Sequence, residues 1–140
     1  KEYAVDTVAG SIKARYPGIS TVVNFGGDIQ VTERRRLDKP WLIGIENPVL
    51  ASDTSTIVKI YQGGLATSGD ARRFLLKNGK RYSHILNPFT GFPVENPPRS
   101  VTVAADNCTQ AGLIATLSML QGAQAKSFLT SQCVTHWIYD

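Results

Sequence analysis

The sequence SVTVAADNCTQAGLIATLSML, residues 100–120, contains the change of pattern that decides the fold class. Its first part, Ser100 to Ala105, is rich in β-branched and small residues, as strands are. From Ala111 to Leu120 the chain is apolar almost all round, which is typical of a buried helix. The sequence therefore predicts a strand that is followed, after a short connection, by a helix lying in the core.

Outward from this stretch, the chain divides into a leading helix, a series of strands and a short closing unit. Four apolar residues at helical spacing predict the leading helix, which ends at Pro17-Gly18; they are Val5, Val8, Ala9 and Ile12. The strand-like runs are Thr21 to Phe25, Asp28 to Thr32, Trp41 to Glu46, Thr56 to Tyr61, Phe74 to Leu76 and Arg81 to Ile85. Gly63-Gly64 is interpreted as a break between strands and Asn78-Gly79 as a hairpin turn.

After Gly122, the pattern predicts a short helix at Ala123 to Thr130 and a last strand at Val134 to Tyr139. A helix, several strands, two helices and a strand, in that order, predict an α+β fold. We expect a largely antiparallel sheet with flanking helices.

The composition is that of a globular domain. Hydrophobic residues make up 42% and charged residues 19% of 140 residues, so we treat residues 1–140 as a single domain. No apolar run approaches the roughly 20 residues needed to cross a bilayer, and no signal-peptide pattern opens the chain. Because the chain enters a helical pattern at its first residues, we expect it to be cut from a longer protein.

Charge and cysteine content exclude few functions. The net charge of +4 comes partly from Arg34-Arg35-Arg36, which is either a phosphate contact or a solvated loop between strands. Because no nucleic-acid-binding motif accompanies it, we favour the loop and expect no nucleic-acid partner. Cys108 and Cys133 lack metal-ligand spacing, and they are either one disulfide or two small buried residues.

Two glycine-containing segments are candidates for ligand contact. Gly26-Gly27-Asp28 lies between two predicted strands, and is either a close backbone approach to a ligand or a tight turn. Thr67-Ser68-Gly69-Asp70 either directs backbone N–H groups and two hydroxyls at an anion or forms a turn with satisfied hydroxyls. Neither segment has the spacing of a Rossmann fingerprint or a P-loop.

Single polar side chains complete the list of candidates. His84 is suited to proton transfer near neutral pH, although a lone strand histidine is more often structural, as we expect for His136. Thr116 lies one helical turn after Gly112 and offers one oxygen to a hard cation, or else it bonds to its own helix backbone.

Six segments of the chain occur in the order and spacing of one known family. They are KxYAVD at 1–6, VNxGGD at 23–28, TSG at 67–69, HILNPxTGxP at 84–93, VTV at 101–103 and the helical segment 111–116. Together they cover nearly the whole chain and resemble the FAD:protein FMN transferases, the ApbE family. The resemblance implies a fold of the tunnelling type that holds FAD and a Mg²⁺ ion in a groove.

The resemblance also implies an activity and a set of site residues. The activity is transfer of FMN from FAD to a Thr or Ser hydroxyl of an acceptor protein. The residues implied at the flavin nucleotide are Lys1, Gly26, Gly27, Asp28, Thr67, Ser68, Gly69 and Ile85. His84 is implied as the catalytic residue closest to the chemistry, and Thr116 as a ligand of the metal.

The chain departs from the family pattern at several positions, one of which bears on the metal. Gly112 stands where the family carries a metal-binding Asp, and Glu2 stands where a glycine is common. Family members are also longer, so we expect a second chain or a missing half to complete the flavin pocket. Two functions therefore stay open, an FMN transferase and a catalytically degenerate flavin-binding or protein-interaction scaffold. The family's location implies a periplasmic or extracytoplasmic, membrane-associated protein.

Overall fold

A computed structural model describes residues 1–49, 55–70 and 73–140. The helices are α1 (Glu2–Arg15), α2 (Cys108–Leu120) and α3 (Ala125–Ser131). The strands are β1 (Val22–Phe25), β2 (Asp28–Val31), β3 (Trp41–Glu46), β4 (Ser55–Ile60), β5 (Gly63–Gly69), β6 (Phe74–Lys77), β7 (Lys80–Ser83), β8 (Ser100–Ala105) and β9 (Thr135–Tyr139). Five strands form one antiparallel sheet in the order β1-β2-β5-β8-β9, while β3 pairs with β4 and β6 pairs with β7.

Strand β5 is the centre of this sheet, and its register fixes what lies at the sheet's end. It pairs with β2 only as far as Ile29↔Leu65, but with β8 as far as Gly69↔Ser100. Because β1 and β2 are joined by the two residues Gly26 and Gly27, their turn lies beside the last residues of β5. The register therefore brings two of the glycine-containing segments together.

The three helices cover one face of the sheet. Apolar side chains of the strands pack there against α1, α2 and α3 in one core: Val5, Ala9, Val23, Ala66, Val101, Val103, Cys108, Ala111, Ile114, Ala115, Met119 and Leu129. Burial of such side chains stabilises the fold by about 1.5–3 kcal/mol for each large residue. The strands lie on one side of α2 and the other two helices flank it, which explains why most of its apolar residues are buried. Its outer side is not covered, because Leu113 and Leu117 are exposed, so the expectation of a helix buried on all sides holds only in part.

The β3–β4 pair covers part of the opposite face. Ile45, Val58 and Ile60 of that pair form a second core with Ile29, Val31 and Leu65 of the sheet. The rest of this face, towards the end of β5, remains open.

Helix α1 is attached to the start of α2 by a carboxylate. Asp6 Oδ1 accepts a hydrogen bond from the backbone N–H of Cys108 at 2.9 Å, and Oδ2 accepts one from that of Thr109 at 2.8 Å. The Asn107 side chain caps the same helix by accepting from the N–H of Gln110 at 2.8 Å. These bonds satisfy donors that a helix leaves unpaired at its N-terminus, so they fix α1 relative to α2.

The α+β prediction is confirmed, and so are the leading helix, the Asn78-Gly79 hairpin and the strand–helix unit at 100–120. The sequence did not predict β5, so the interpretation of Gly63-Gly64 as a break is wrong, and so is the turn alternative for Thr67-Ser68-Gly69, because these residues all belong to that strand. A Cβ atom on Gly64 would lie 2.2 Å from the backbone of Asn107, so glycine is needed here for the close approach of α2. No helix in the described parts of the chain is long and apolar enough to span a membrane.

Two other expectations were left open and are resolved by the structure. Cys108 is buried and Cys133 is exposed, and both thiols are free. The triplet Arg34-Arg35-Arg36 is an exposed connection between β2 and β3, in which Arg34 pairs with Asp38 at 2.7 Å and the Arg35 guanidinium lies 4.6 Å from the Trp41 ring centroid.

Candidate functional site

The turn between β1 and β2 takes its shape from two glycines. Gly26 and Gly27 have φ values of +63° and +96°, which side chains other than glycine rarely allow. The N–H of Gly27 donates to Asn24 Oδ1 at 2.8 Å, so the turn is held by the asparagine that precedes it. The result is a rigid turn at the open end of the sheet with no side chains at its tip.

Lys1 and Asp28 form an ion pair beneath this turn. Lys1 Nζ lies 3.0 Å from Asp28 Oδ2 and donates to the carbonyl oxygen of Gly26 at 3.3 Å. Asp28 is only 3% exposed. Burial raises the pKa of its carboxyl above the 3.8 of a free aspartate, while the hydrogen bond and the charge of Lys1 oppose that rise. Lys1 therefore links the turn to Asp28, whose burial disfavours the charged form of its carboxyl.

The Thr67-Ser68-Gly69 segment presents its two hydroxyls to opposite faces of the sheet, because side chains alternate along β5. Thr67 Oγ1 lies 2.8 Å from Thr102 Oγ1 on the face that remains open. Ser68 Oγ lies 2.8 Å from Thr116 Oγ1 of α2, on the face covered by helices. One tripeptide thus contributes to two different environments.

On the open face these segments line one groove of about 860 Å³. The groove residues from the candidate segments are Gly26, Gly27, Thr67 and Gly69, and its other walls include Asn24, Trp41, Ile43, Arg73, Arg99 and Ser100. Its volume is within the range of pockets that hold whole small molecules. We call this feature the sheet groove.

Positive charge lies at the rim of the sheet groove. Asp70 is buried at the end of β5, where Arg81 Nη2 pairs with its Oδ1 at 2.9 Å. Arg99 Nη1 is farther from the same oxygen, at 4.0 Å, and its side chain is 40% exposed. Because Arg81 already neutralises Asp70, Arg99 and the exposed Arg73 are left to meet an anion in the groove.

His84 does not line the sheet groove itself, but one of its ring nitrogens contacts the backbone of Arg73, which does. Its Nδ1 lies 2.9 Å from the backbone carbonyl oxygen of Arg73. A carbonyl oxygen can only accept, so Nδ1 carries the proton and the neutral ring has its lone pair on Nε2. The neighbouring Ile85 is half-buried against the helix-side core and accepts the N–H of Val94 at 3.0 Å through its carbonyl oxygen.

A second group of polar residues lies on the helix-covered face, around Gly112 of α2. It contains the Ser68–Thr116 hydroxyl pair and the side chain of Glu2. Glu2 Oε2 lies 3.2 Å from the backbone nitrogen of Lys1. A hydrogen bond from its own backbone N–H is the largest of the effects that lower the pKa of Glu2, so its carboxylate is ionised at neutral pH.

Comparisons with known proteins match nearly the whole length of this chain. The family model ApbE matches residues 1–137. A protein of Vibrio cholerae named FAD:protein FMN transferase is 38% identical over 128 residues, which are 89% of this chain and 37% of that protein. One of Chlamydia pneumoniae is 33% identical over 145 residues, covering 100% of this chain and 44% of its own length.

The chain belongs to the ApbE family. Among solved structures, the flavinyl transferase ApbE of Pseudomonas stutzeri in its apo form superposes with a TM-score of 0.82 at 31% identity, covering 98% of this chain and 42% of that one. The ApbE protein of Thermotoga maritima gives a TM-score of 0.84 at 27% identity, covering 98% and 45%. The chain therefore spans less than half of the length of these ApbE relatives.

Within this ApbE fold, the residues implied by the resemblance divide into two groups. Gly26, Gly27, Thr67 and Gly69 line the sheet groove, whereas Ser68 and Thr116 meet on the helix-covered face. Lys1 and Asp28 lie next to the turn that separates the two groups. Ile85 is anchored in the helix-side core and does not line the sheet groove.

Sequence reasoning missed several residues of the site, among them Arg73, Arg99, Asp6 and Glu2. Arg99 follows two prolines and has no local motif, and only the strand pairing of β8 brings it beside Gly69. The sequence indicates Asp6 only as part of the KxYAVD segment. Its role was not predictable, because its bonds to α2 span more than 100 residues. Glu2 was seen only as a departure, although its position beside Gly112 changes how both departures are interpreted.

Proposed function

We propose that this chain acts in FAD:protein FMN transfer, in which FMN moves from FAD to a Thr or Ser hydroxyl of an acceptor protein in a Mg²⁺-dependent reaction. The observation that carries the proposal is the sheet groove, where the glycine turn, the end of β5 and two arginines converge in a member of this family. A pyrophosphate carries negative charge and many acceptor oxygens, so it suits a site of backbone N–H groups and guanidinium groups.

The groove residues have distinct parts in binding FAD. The glycine turn allows the nucleotide to approach the backbone closely, because Gly27 has no side chain and the space where its Cβ atom would lie is open. Thr67 offers its hydroxyl from the groove floor, and Arg99 and Arg73 offer positive charge at the rim. Lys1 holds the turn in place through the Gly26 carbonyl.

The reaction is a phosphoryl transfer whose bonds balance without an oxidant or a further reactant. The acceptor hydroxyl oxygen forms a bond to the phosphorus on the FMN side of FAD, and the bond from that phosphorus to the bridging oxygen breaks. AMP leaves with the bridging oxygen, and the product is a phosphoester of FMN. We assign to His84 Nε2 the proton that the acceptor hydroxyl loses, because Nδ1 is already committed to Arg73.

The helix-covered group provides oxygen donors of the kind that Mg²⁺ prefers. Ser68 Oγ and Thr116 Oγ1 are 2.8 Å apart, and Mg²⁺ in phosphate-handling sites takes one or two carboxylates together with substrate phosphate oxygens. When bound, the ion neutralises charge that develops on the phosphate oxygens. No group of three or more His, Cys, Asp or Glu side chains suited to a metal occurs in the described residues, so in this proposal substrate phosphate oxygens would have to complete the ion's coordination.

A second function is favoured by one observation. Gly112 offers no carboxylate at the position where the resemblance implies an Asp, so the alternative is a flavin-binding or protein-interaction scaffold without turnover. Either function would leave part of the flavin pocket to residues outside this chain, such as a second chain, since the chain covers 37% of its Vibrio cholerae relative. By resemblance we further propose an extracytoplasmic, membrane-associated location.

Calorimetric titration with FAD, with and without Mg²⁺, separates these functions when it is combined with a transfer assay. Mg²⁺-dependent FAD binding together with AMP release in the presence of an acceptor protein supports the transferase. FAD binding that does not depend on Mg²⁺ and is not followed by AMP release supports the scaffold. Absence of FAD binding, even when the part of a relative that this chain does not cover is added as a separate chain, contradicts both.

A further inference from the structure

Two departures from the family pattern, Gly112 and Glu2, lie against each other in the structure. A Cβ atom added to Gly112 would lie 2.7 Å from Glu2 Cγ, 3.1 Å from Glu2 Cδ and 3.0 Å from Glu2 Oε1. The side chain of Glu2 therefore occupies the space that a side chain at position 112 would fill. Its carboxylate reaches the surface of α2 from the neighbouring helix.

The position of this carboxylate relates it to the hydroxyl pair. Gly112 and Thr116 are one turn apart on the same face of α2, where neighbouring Cβ atoms are about 5–6 Å apart. Thr116 Oγ1 in turn lies 2.8 Å from Ser68 Oγ. Glu2, Thr116 and Ser68 thus direct three oxygen-bearing groups at one stretch of the helix surface, although they come from three different elements.

The geometry of α1 keeps the carboxylate in place. Glu2 and Asp6 are one helical turn apart, and Asp6 is bonded to the N–H groups of Cys108 and Thr109. Gly112 lies three residues after Thr109, on the side that Glu2 faces. Two successive turns of α1 therefore lie against the first two turns of α2, with Glu2 beside Gly112.

We propose that Glu2 supplies the carboxylate of the divalent-cation site, in place of a carboxylate at position 112. The two departures are then one exchange relative to the family pattern. The acidic residue is at position 2 in α1 instead of position 112 in α2, and the glycine is at position 112 instead of position 2. The inference rests on the proposed function, and it removes the main observation that favoured the inactive scaffold. One carboxylate with two hydroxyls suits Mg²⁺ or Mn²⁺ when phosphate oxygens complete the shell.

The test is direct titration of the purified 140-residue chain with Mn²⁺, with and without saturating FAD, with free Mn²⁺ followed by electron paramagnetic resonance. We expect Glu2→Gln to weaken Mn²⁺ binding by about tenfold or more, since it removes the charged ligand and keeps the size of the side chain. The matched control is Glu95→Gln, which makes the same change on an exposed glutamate between β7 and β8. This control should bind Mn²⁺ as the unaltered chain does.

The exchange itself provides a second, independent variant. Gly112→Asp alone should bind Mn²⁺ no better than the unaltered chain, because its side chain and Glu2 compete for the same space. Combined with Glu2→Gly, it should restore binding to within about threefold of the unaltered chain. Recovery in the double variant cannot come from a general effect on folding.

The outcomes separate this inference from the proposed function. If Glu2→Gln binds Mn²⁺ as tightly as the unaltered chain, Glu2 is not a ligand. The proposal of FMN transfer would not be contradicted by that result. If the unaltered chain binds no Mn²⁺ either with or without FAD, both the role of Glu2 and the Mg²⁺ dependence of the proposed function are wrong.

Discussion

Asp6 holds Thr109 by two hydrogen bonds, one from the backbone N–H at 2.8 Å and one from the side-chain hydroxyl at 2.6 Å, both to Oδ2. A carboxylate of α1 therefore serves as the N-terminal cap of α2, 103 residues later in the chain. The partial positive charge of a helix N-terminus adds to the attraction. This contact sets the position of α2 and so of the hydroxyl of Thr116.

The cap predicts a measurable loss of stability. Asp6→Asn removes the negative charge and leaves only one acceptor oxygen for three donors, so we expect the free energy of unfolding to fall by about 1–2 kcal/mol. Urea denaturation followed by circular dichroism measures this change. Asp38→Asn is the control, because the Arg34–Asp38 pair is exposed and should contribute less than about 1 kcal/mol. Equal losses in the two variants would contradict the special role of Asp6.

A second prediction concerns His84. His84→Gln should abolish FMN transfer while FAD affinity changes by less than about threefold, because the ring is assigned to proton transfer and not to binding. Transfer is measured as AMP released in the presence of FAD, Mg²⁺ and an acceptor protein. His136→Gln is the matched control, since its Nδ1 bonds to the carbonyl oxygen of Val134 within the edge region of the sheet. Persistent transfer by His84→Gln would remove this residue from the chemistry.

A third prediction concerns the charge at the sheet groove. Arg99→Gln should weaken FAD binding by about tenfold, and the loss should shrink as salt is added, because screening weakens the attraction in the unaltered chain. Calorimetric titration at two ionic strengths measures both effects. Arg36→Gln removes the same charge from the exposed connection between β2 and β3 and should leave the affinity unchanged. A loss for Arg36→Gln of the same size would indicate a general field effect instead of a groove contact.

A fourth prediction follows from the raised pKa of Asp28. Below pH 3.8 this carboxyl is protonated in both the folded and the unfolded chain, so its protonation does not alter stability. As the pH rises from 3.8 through the higher folded-state pKa, the unfolded chain ionises first, and the contribution of Asp28 to stability falls. The difference in free energy of unfolding between the unaltered chain and Asp28→Asn should therefore decrease from pH 4 to pH 7. An increase over this interval would contradict the assignment.

The two thiols give a fifth prediction. Burial, with smaller effects from the charges of Asp28 and Asp6, raises the pKa of Cys108 to about 12, so this thiol is both covered and protonated. A thiol reagent at pH 8 should label one cysteine, Cys133, in the folded chain and two after denaturation. Peptide mapping identifies the labelled residue. Rapid labelling of Cys108 in the folded chain would show that α2 opens easily at its N-terminus.

Local patterns predicted most of the fold. The apolar run of α2 and the Asn78-Gly79 turn are signals contained within a few residues, and the structure confirms both. The failure at Gly63-Gly64 has a physical reason, because Gly63 lies against the carbonyl of Ala105 in β8 and Gly64 against the start of α2, partners that lie some 40 residues later in the chain. Glycine as a break and glycine as a close contact have the same sequence pattern.

The site was harder to predict than the fold, because its parts meet only through tertiary contacts. Family resemblance indicated Thr67 and Ser68 together, but the alternation of β5 directs them to opposite faces. Glu2 and Gly112 were each recognised as unusual on their own. Only the packing of α1 on α2 shows that they are neighbours.

The central strand imposes a constraint on how this protein can change. Because Thr67 faces the sheet groove and Ser68 faces α2, adding or deleting a single residue early in β5 would exchange the two faces. Thr67 would then turn to the helix, and Ser68 to the groove, so that both hydroxyl pairs would be lost in one event. Substitutions in β5 alter one side of the sheet at a time, whereas a change in its length disables both, and tolerated insertions should therefore be confined to the connections outside it.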